Sequence, residues 1–200
     1  MSDSFIVKDP SAISSQISEI QEVIAQAKTA YEKRKRDLEE IIAKCRESIE
    51  KDQAEKRKCE TTLQLVNSKI TYVQSQISAI KGQLEAARQS LDQVKSAAQG
   101  KYTDSVRNAE NQVFRYEREW RQLENKLKSC EAEKAKLENV IKIWENRIAC
   151  KQSVLDKLLA RYAWLTGDGA RELDRTISNG NAKIATLRKL LEHVRGRPGM

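Results

Sequence analysis

The sequence predicts an all-α fold: a long antiparallel coiled-coil helical hairpin, with two long helices and a C-terminal helix after a Gly-Asp-Gly break. Apolar residues recur at alternating intervals of three and four from Ile13 to Val194, which is the heptad repeat of a left-handed coiled coil. Charged residues make up 33% of the chain, a share typical of coiled coils. Glycine-containing segments at 97–104 and 167–169 interrupt the repeat and divide it into helices.

The first long helix is predicted over residues 10–98, after a flexible N-terminus at 1–9. Asp9 can accept hydrogen bonds as the N-cap, and Pro10 suits the first helical position because its missing N–H is not needed there. The apolar stripe of the repeat, here called the seam, is regular over residues 63–98.

Two polar residues, Asp52 and Lys56, occupy the seam of this helix, where they are costly unless they are paired. The seam up to Tyr31 keeps a different register from the seam that follows it. We therefore expect a stutter of about four residues near 41–49, which locally unwinds the supercoil.

A turn is predicted over residues 99–104. Gly100 fits the position after a helix C-cap, and Thr103 and Asp104 are candidate N-caps for the next helix. The alternative is one unbroken helix with a skip residue.

The second helix is predicted over 105–166, and its seam is apolar except at Lys134 and Lys151. A hinge follows at 167–169, where two glycines flank an aspartate that can cap a helix. The third helix is predicted over 170–195, with a flexible tail at 196–200. We expect all of these segments to form a single elongated domain.

A chain that doubles back at Gly100 brings together residues whose numbers sum to about 200–207. Leu38 then lies opposite Leu165, and Trp120 lies near Leu84. The third helix either continues along the first helix or folds back on the second to make a short three-helix head.

The sequence contains no catalytic, cofactor-binding or metal-binding constellation. His193 is the only histidine and is expected on an outward face. Cys45, Cys59 and Cys130 fall on the seam, where a reduced thiol behaves as a small apolar group, and no Cys-x-x-Cys spacing occurs. We therefore expect no enzyme activity, no cofactor and no metal.

The candidate partner-binding residues lie off the seam. Exposed positions over 61–83 are mostly Ser, Thr, Asn and Gln, which accept another helix without stranding charges. Tyr72, Phe114 and Ile143 add apolar side chains, and Tyr102 adds an aromatic one at the turn. These residues predict a face for a partner helix or a second copy, and the alternative is scattered surface apolar groups.

The formal net charge is +8, and the C-terminal helix is rich in basic residues. Arg188, Lys189 and Arg195 are the candidates there for contact with an anionic partner, including nucleic acid. The alternative is an ordinary solvated coiled-coil surface.

No stretch approaches the about 18 uninterrupted apolar residues of a membrane span, so we expect no transmembrane segment and a cytoplasmic location. The favoured function is a non-enzymatic structural or adaptor protein that binds protein partners or itself through the coiled coil. The alternatives are a nucleic-acid-binding coiled coil and a helical membrane-active protein. In outline the chain resembles hairpin coiled coils that serve as stalks, levers or chaperone-like adaptors, and no motif assigns it to one family.

Overall fold

The structure is a computed structural model that describes residues 9–196. Helix α1 spans Pro10–Ala97, α2 spans Asp104–Trp164, a π-helical turn spans Leu165–Gly169, and α3 spans Ala170–Arg195. No strand occurs within the described residues, and the predicted all-α helical hairpin is confirmed. The flexible segments expected at 1–9 and 196–200 lie, except for their inner residues Asp9 and Gly196, outside the described part of the chain.

The chain divides into two compact units. Unit 1 combines the residues up to Ile49 with those from Cys150 onward, and unit 2 comprises Glu50–Ala149. The single elongated domain expected from the sequence stays a prediction.

The seam is buried as the heptad repeat predicts. In unit 2, every predicted seam position on α1 and α2 is buried or half-buried. Leu84 and Ala87 of α1 form a core cluster with Val113 of α2, and Trp120 packs against it, as the antiparallel pairing predicts. Burial of this apolar stripe is the main force that holds the two helices together.

The turn of unit 2 separates α1 from α2, which excludes the alternative of one unbroken helix. Gln99 and Gly100 have positive φ values of 50° and 81°, so the chain leaves the helical conformation there. The Thr103 hydroxyl then accepts a hydrogen bond from the Val106 amide at 3.3 Å and acts as a side-chain cap at the start of α2.

In unit 1, α3 packs against the start of α1. Ile13, Ile17 and Ile24 form a core cluster with Ile184, and the alternative in which the third helix folds back on α2 is excluded. Gly180 makes this packing close, because a Cβ atom built there would lie 2.7 Å from the Ile24 Cδ1 atom. Gly180 therefore provides the space that Ile24 occupies.

The hinge predicted at 167–169 differs in the structure, because the chain stays helical through both glycines. Gly169 is right-handed helical, with φ −62° and ψ −37°, and Asp168 pairs with Arg171 at 3.4 Å instead of capping a new helix. A glycine destabilises a helix by only about 1 kcal/mol relative to alanine. The burial of α3 against α1 outweighs this cost, and the irregularity that remains is the π-helical turn.

The position predicted for the stutter is wrong. The covered residues Ala27, Tyr31, Lys35 and Leu38 are spaced by four, four and three, so the extra step lies at Lys35 and the repeat is regular beyond it. The Tyr31 hydroxyl donates to the Leu165 carbonyl oxygen at 3.3 Å, which sets the irregular segment of α1 against the π-helical turn. The irregular segment of α1 therefore lies against the π-helical turn. The helices remain packed against each other on both sides of this point.

Candidate partner-binding surfaces

The seam charges Asp52 and Lys56 of unit 2 are paired with charged residues of the same unit. Asp52 is only 5% exposed, and its Oδ2 atom lies 2.9 Å from the Arg147 Nε atom. The Lys56 ammonium lies 2.9 Å from Glu145 and 3.3 Å from Glu60, and these carboxylates hold the pKa of Lys56 above its ordinary value. The seam charges therefore have partners of their own. The outer faces of the helices are the surfaces that remain available for binding.

The polar seam residue of α2 in unit 1 is also satisfied. The Lys151 ammonium donates to the Ser48 hydroxyl at 2.7 Å, and the Cys45 thiol lies 3.7 Å from the Lys151 carbonyl oxygen. Cys45 is one of four free thiols, the others being Cys59, Cys130 and Cys150. The exposed one is Cys150, which lies off the seam.

The exposed residues of α1 between Thr61 and Gln83, here called the uncharged face, carry few charges and satisfy their own hydroxyl groups. Six hydroxyls donate to carbonyl oxygens of the same helix three or four residues earlier; they belong to Thr61, Thr62, Ser68, Thr71, Ser75 and Ser78. Because these groups already have partners, a protein surface can cover them at a low desolvation cost.

Tyr72 lies at the centre of the uncharged face with 60% of its surface exposed. Its hydroxyl accepts a hydrogen bond from the Gln76 amide at 3.0 Å. Gln76 also lines an open groove of about 500 Å³, whose other walls include Ala79 of α1 and Gln122 of α2. Leu65 lies two helical turns before Tyr72 on the same side and is also exposed.

Tyr102 lies at the turn of unit 2 and is tied to the adjacent helices. Its hydroxyl donates to a Glu110 oxygen at 3.1 Å, and the Lys95 ammonium lies 3.0 Å from the other Glu110 oxygen. These hydrogen bonds raise the pKa of Tyr102 and lower the pKa of Glu110. The hydroxyl therefore braces the turn, while 70% of the Tyr102 surface stays exposed.

Phe114 and Ile143 are exposed on α2, as predicted, but the structure does not gather the candidate residues of unit 2 into one site. At about 1.5 Å per residue, Phe114 and Ile143 lie about 44 Å apart along α2. The same arithmetic places Tyr72 about 38 Å from the end of α1, which Tyr102 follows.

Arg188, Lys189 and Arg195 belong to α3 in unit 1, and all three are exposed. Arg188 and Arg195 are seven residues apart and so share one side of the helix, with Glu192 close to the same side. None of the three forms an ion pair with another residue in the range 9–196.

Unit 1 also contains a groove that was not predicted from the sequence, here called the Trp164 groove. It has a volume of about 630 Å³ and lies between α1 and the end of α2; its lining residues are Arg34, Asp37, Leu38, Ile41, Ala160, Arg161, Trp164 and Leu165. Trp164 is 54% exposed and Ile41 is 48% exposed. Both side chains lie off the seam and close to the two glycines at 167–169. Large apolar residues off the seam beside a glycine-containing segment are the sequence signal that could have indicated this groove.

Hydrogen bonds between α1 and α2 fix the walls of the Trp164 groove. The Tyr162 hydroxyl donates to a Glu39 oxygen at 2.6 Å, which raises the pKa of Tyr162. Tyr31 binds the Leu165 carbonyl oxygen at the start of the π-helical turn, as described above. π-helical turns are rare and occur often at functional sites.

The described residues contain neither a metal-binding cluster nor a membrane-spanning helix. No group of three or more His, Cys, Asp and Glu side chains in the range 9–196 is arranged to hold a metal ion. None of the helices described is both long and apolar enough to cross a membrane.

No protein-family model matches the chain, and the comparison with curated proteins finds no relative. Among solved structures, the chain is similar to a coiled-coil segment of Pyrococcus yayanosii Smc. The TM-score is 0.47 and the identity is 17%, over 94% of this chain and 87% of that one. A similarity of this size carries no information about function.

Proposed function

We propose that the chain is a non-enzymatic coiled-coil adaptor that spaces or couples protein partners within a larger assembly. The uncharged face of α1 is the observation that carries the proposal. Its hydroxyl groups are bonded to their own helix, and Tyr72 and Leu65 stand exposed among them. A surface of this kind loses little on desolvation and gains from the burial of apolar area, which favours contact with another protein.

The pairing of the seam charges within unit 2 supports the same function. Asp52 and Lys56 already have charged partners inside unit 2, so the apolar side chains on the outer faces do not cover them. Those outer side chains are therefore available for contact with another protein. Large apolar residues remain exposed in both units, including Phe114, Ile143 and Trp164. We infer that the adaptor acts in the cytoplasm, where thiols such as those of its cysteines stay reduced.

The function is tested by purifying the full chain from its native host after chemical crosslinking. We expect a complex of defined composition, with crosslinks to residues that flank the uncharged face, and we expect Tyr72→Glu to abolish it. Asn125→Glu is the matched control, because it adds the same charge at an exposed position of α2 outside that face. Recovery of only the free chain, or equal loss of the complex in both variants, contradicts the adaptor function.

A second candidate function is the binding of nucleic acid by α3. The observation in its favour is that Arg188, Lys189 and Arg195 are exposed and form no ion pair within the described residues. It predicts that binding to a DNA duplex weakens steeply between about 50 and 200 mM salt, and further when the three residues are changed to Gln. Absence of binding to both DNA and RNA at low salt rules it out.

A further inference from the structure

The Trp164 groove combines an apolar floor with a basic rim. Leu38, Ile41 and Trp164 contribute the apolar surface, and Arg34 and Arg161 stand on opposite walls, on α1 and α2. Trp164 and Ile41 are each about half exposed, although both belong to residue types that gain most from burial. The floor is therefore a surface that a partner can cover with a large gain.

The cations of the rim are available for a partner. Neither Arg34 nor Arg161 forms an ion pair with another residue in the range 9–196, and the same holds for Lys157, one turn before Arg161. Asp37 is the single acidic residue of the lining, against two arginines. By contrast, some exposed cations of the chain are neutralised by a neighbouring carboxylate, as Lys44 is by Glu40 at 2.6 Å.

We propose that the Trp164 groove binds an acidic amphipathic helix of a partner protein, which places a large apolar side chain on Trp164 and carboxylates near Arg34 and Arg161. This inference rests on the adaptor function proposed above. Arginine is suited to the carboxylate contacts, because its planar guanidinium binds a carboxylate through two hydrogen bonds.

The geometry of the walls favours a helix as the occupant. Arg34, Leu38 and Ile41 follow one another at intervals of four and three on α1. On the other wall, Arg161 of α2 and Leu165 of the π-helical turn are four residues apart. Such rows form the ridges and groove into which a third helix packs, with apolar anchors at the same intervals. A helix lying there turns this part of unit 1 into a three-helix bundle and covers Trp164.

The test uses the full chain as bait for a display library of helical peptides in which the docking face is randomised. We expect the selected peptides to carry large apolar residues flanked by Asp or Glu. Trp164→Ala and the double variant Arg34→Glu/Arg161→Glu should each weaken their binding at least about tenfold, since aromatic and arginine residues dominate such interfaces. A peptide with its acidic residues changed to Lys should regain affinity for the double variant.

Matched controls come from unit 2. Val140→Ala removes an exposed apolar side chain of α2, and Arg118→Glu/Arg121→Glu reverses two exposed arginines of the same helix. Neither change should alter peptide binding. All of the substituted side chains are exposed, and circular dichroism should show unchanged helix content in every variant.

The inference is overturned if no peptide is selected, if the peptides are not acidic, or if the control variants weaken binding as much as the groove variants. It is also overturned if Trp164→Ala converts a dimer of the chain into a monomer, because a second copy then covers the groove. If the groove variants still form the complex in the host, the adaptor function is supported and the binding site proposed here is rejected. If peptides are selected but no complex is found in the host, the binding site is supported and the adaptor function is rejected.

Discussion

The two units hold their helices in register by different means. Unit 2 keeps a regular alternation of three and four and places charges in the seam, where Asp52 pairs with Arg147 and Lys56 with Glu145. Unit 1 departs from the regular repeat at Lys35 and at the π-helical turn, and it fits Ile24 against a glycine.

The register of two packed helices can therefore be fixed either by charge or by shape. A regular apolar seam allows helices to slide by whole heptads, and a buried polar pair penalises every register but one. An irregular seam also fixes the register, because the extra residue of one helix fits the facing helix at only one position. In unit 1 the irregular segment also carries the Trp164 groove, whereas the outer side chains of the regular unit are spread along its helices.

The largest expected effect comes from Gly180→Leu. Its Cβ atom would lie 2.7 Å from Ile24 Cδ1, so the larger side chain overpacks the core of unit 1, and we expect a loss of about 3 kcal/mol in the free energy of unfolding. Gly82→Leu in unit 2 meets nothing within 4 Å and should instead stabilise by about 0.5 kcal/mol through helix propensity. Urea denaturation measures both, and equal effects would contradict the role of shape in unit 1.

The next effect concerns the charges of unit 2. We expect Asp52→Leu/Lys56→Leu to raise the free energy of unfolding, because leucine replaces a buried carboxylate and a half-buried ammonium whose partners remain exposed to solvent. The variant should at the same time lose its unique register, seen as mixed masses in light scattering and as new crosslinks. Lys151→Leu in unit 1 is the control and should keep one mass, and a double variant with unchanged mass and crosslinks would reject register control by charge.

A smaller effect is expected from Tyr31→Phe, which removes the hydroxyl that binds the Leu165 carbonyl oxygen. The lost hydrogen bond should cost about 1 kcal/mol of stability and speed amide hydrogen exchange in the π-helical turn. Tyr72→Phe is the matched control, because the hydroxyl of Tyr72 lies on the surface of unit 2. Unchanged exchange in the Tyr31 variant would show that the π-helical turn does not depend on this bond.

The smallest effect lies at the turn of unit 2 and depends on pH. The pKa of Glu110 is lowered from 4.5 by Lys95 and Tyr102, so its contribution to stability is present above the unfolded value and disappears as pH falls through the folded value. The melting temperature of Glu110→Gln should therefore fall below that of the native chain at pH 7, and the difference should shrink below pH 4.5. Lys95→Met should weaken the same pH dependence, and a difference that is constant with pH would contradict this role.

The regular parts of the fold were accessible from the sequence because their determinants are local and periodic. The seam from Leu63 to Ala98 follows from the spacing of apolar residues, and the turn follows from Gly100 and the cap at Thr103. The exposure of Tyr72, Phe114 and Ile143 was predictable for the same reason, since each lies off a seam whose phase was known.

The irregular parts were not accessible, because glycine and polar residues permit several local structures with small energy differences. The residues at 167–169 read as a helix stop, but the chain stays helical there, and the packing of Ile184 against Ile13, Ile17 and Ile24 favours this continuation. The position of the stutter at Lys35 was hidden likewise, because a half-buried lysine stem counts as polar in the sequence and as apolar in packing.

The all-α hairpin, the phase of its seam and the site of its turn follow from local sequence patterns, because heptad spacing and turn residues act through local geometry. Tertiary structure decided the partners of Asp52 and Lys56, the π-helical turn and the Trp164 groove. These features depend on which residues of distant segments meet, and the gain from burying them exceeds the small local preferences that the sequence displays.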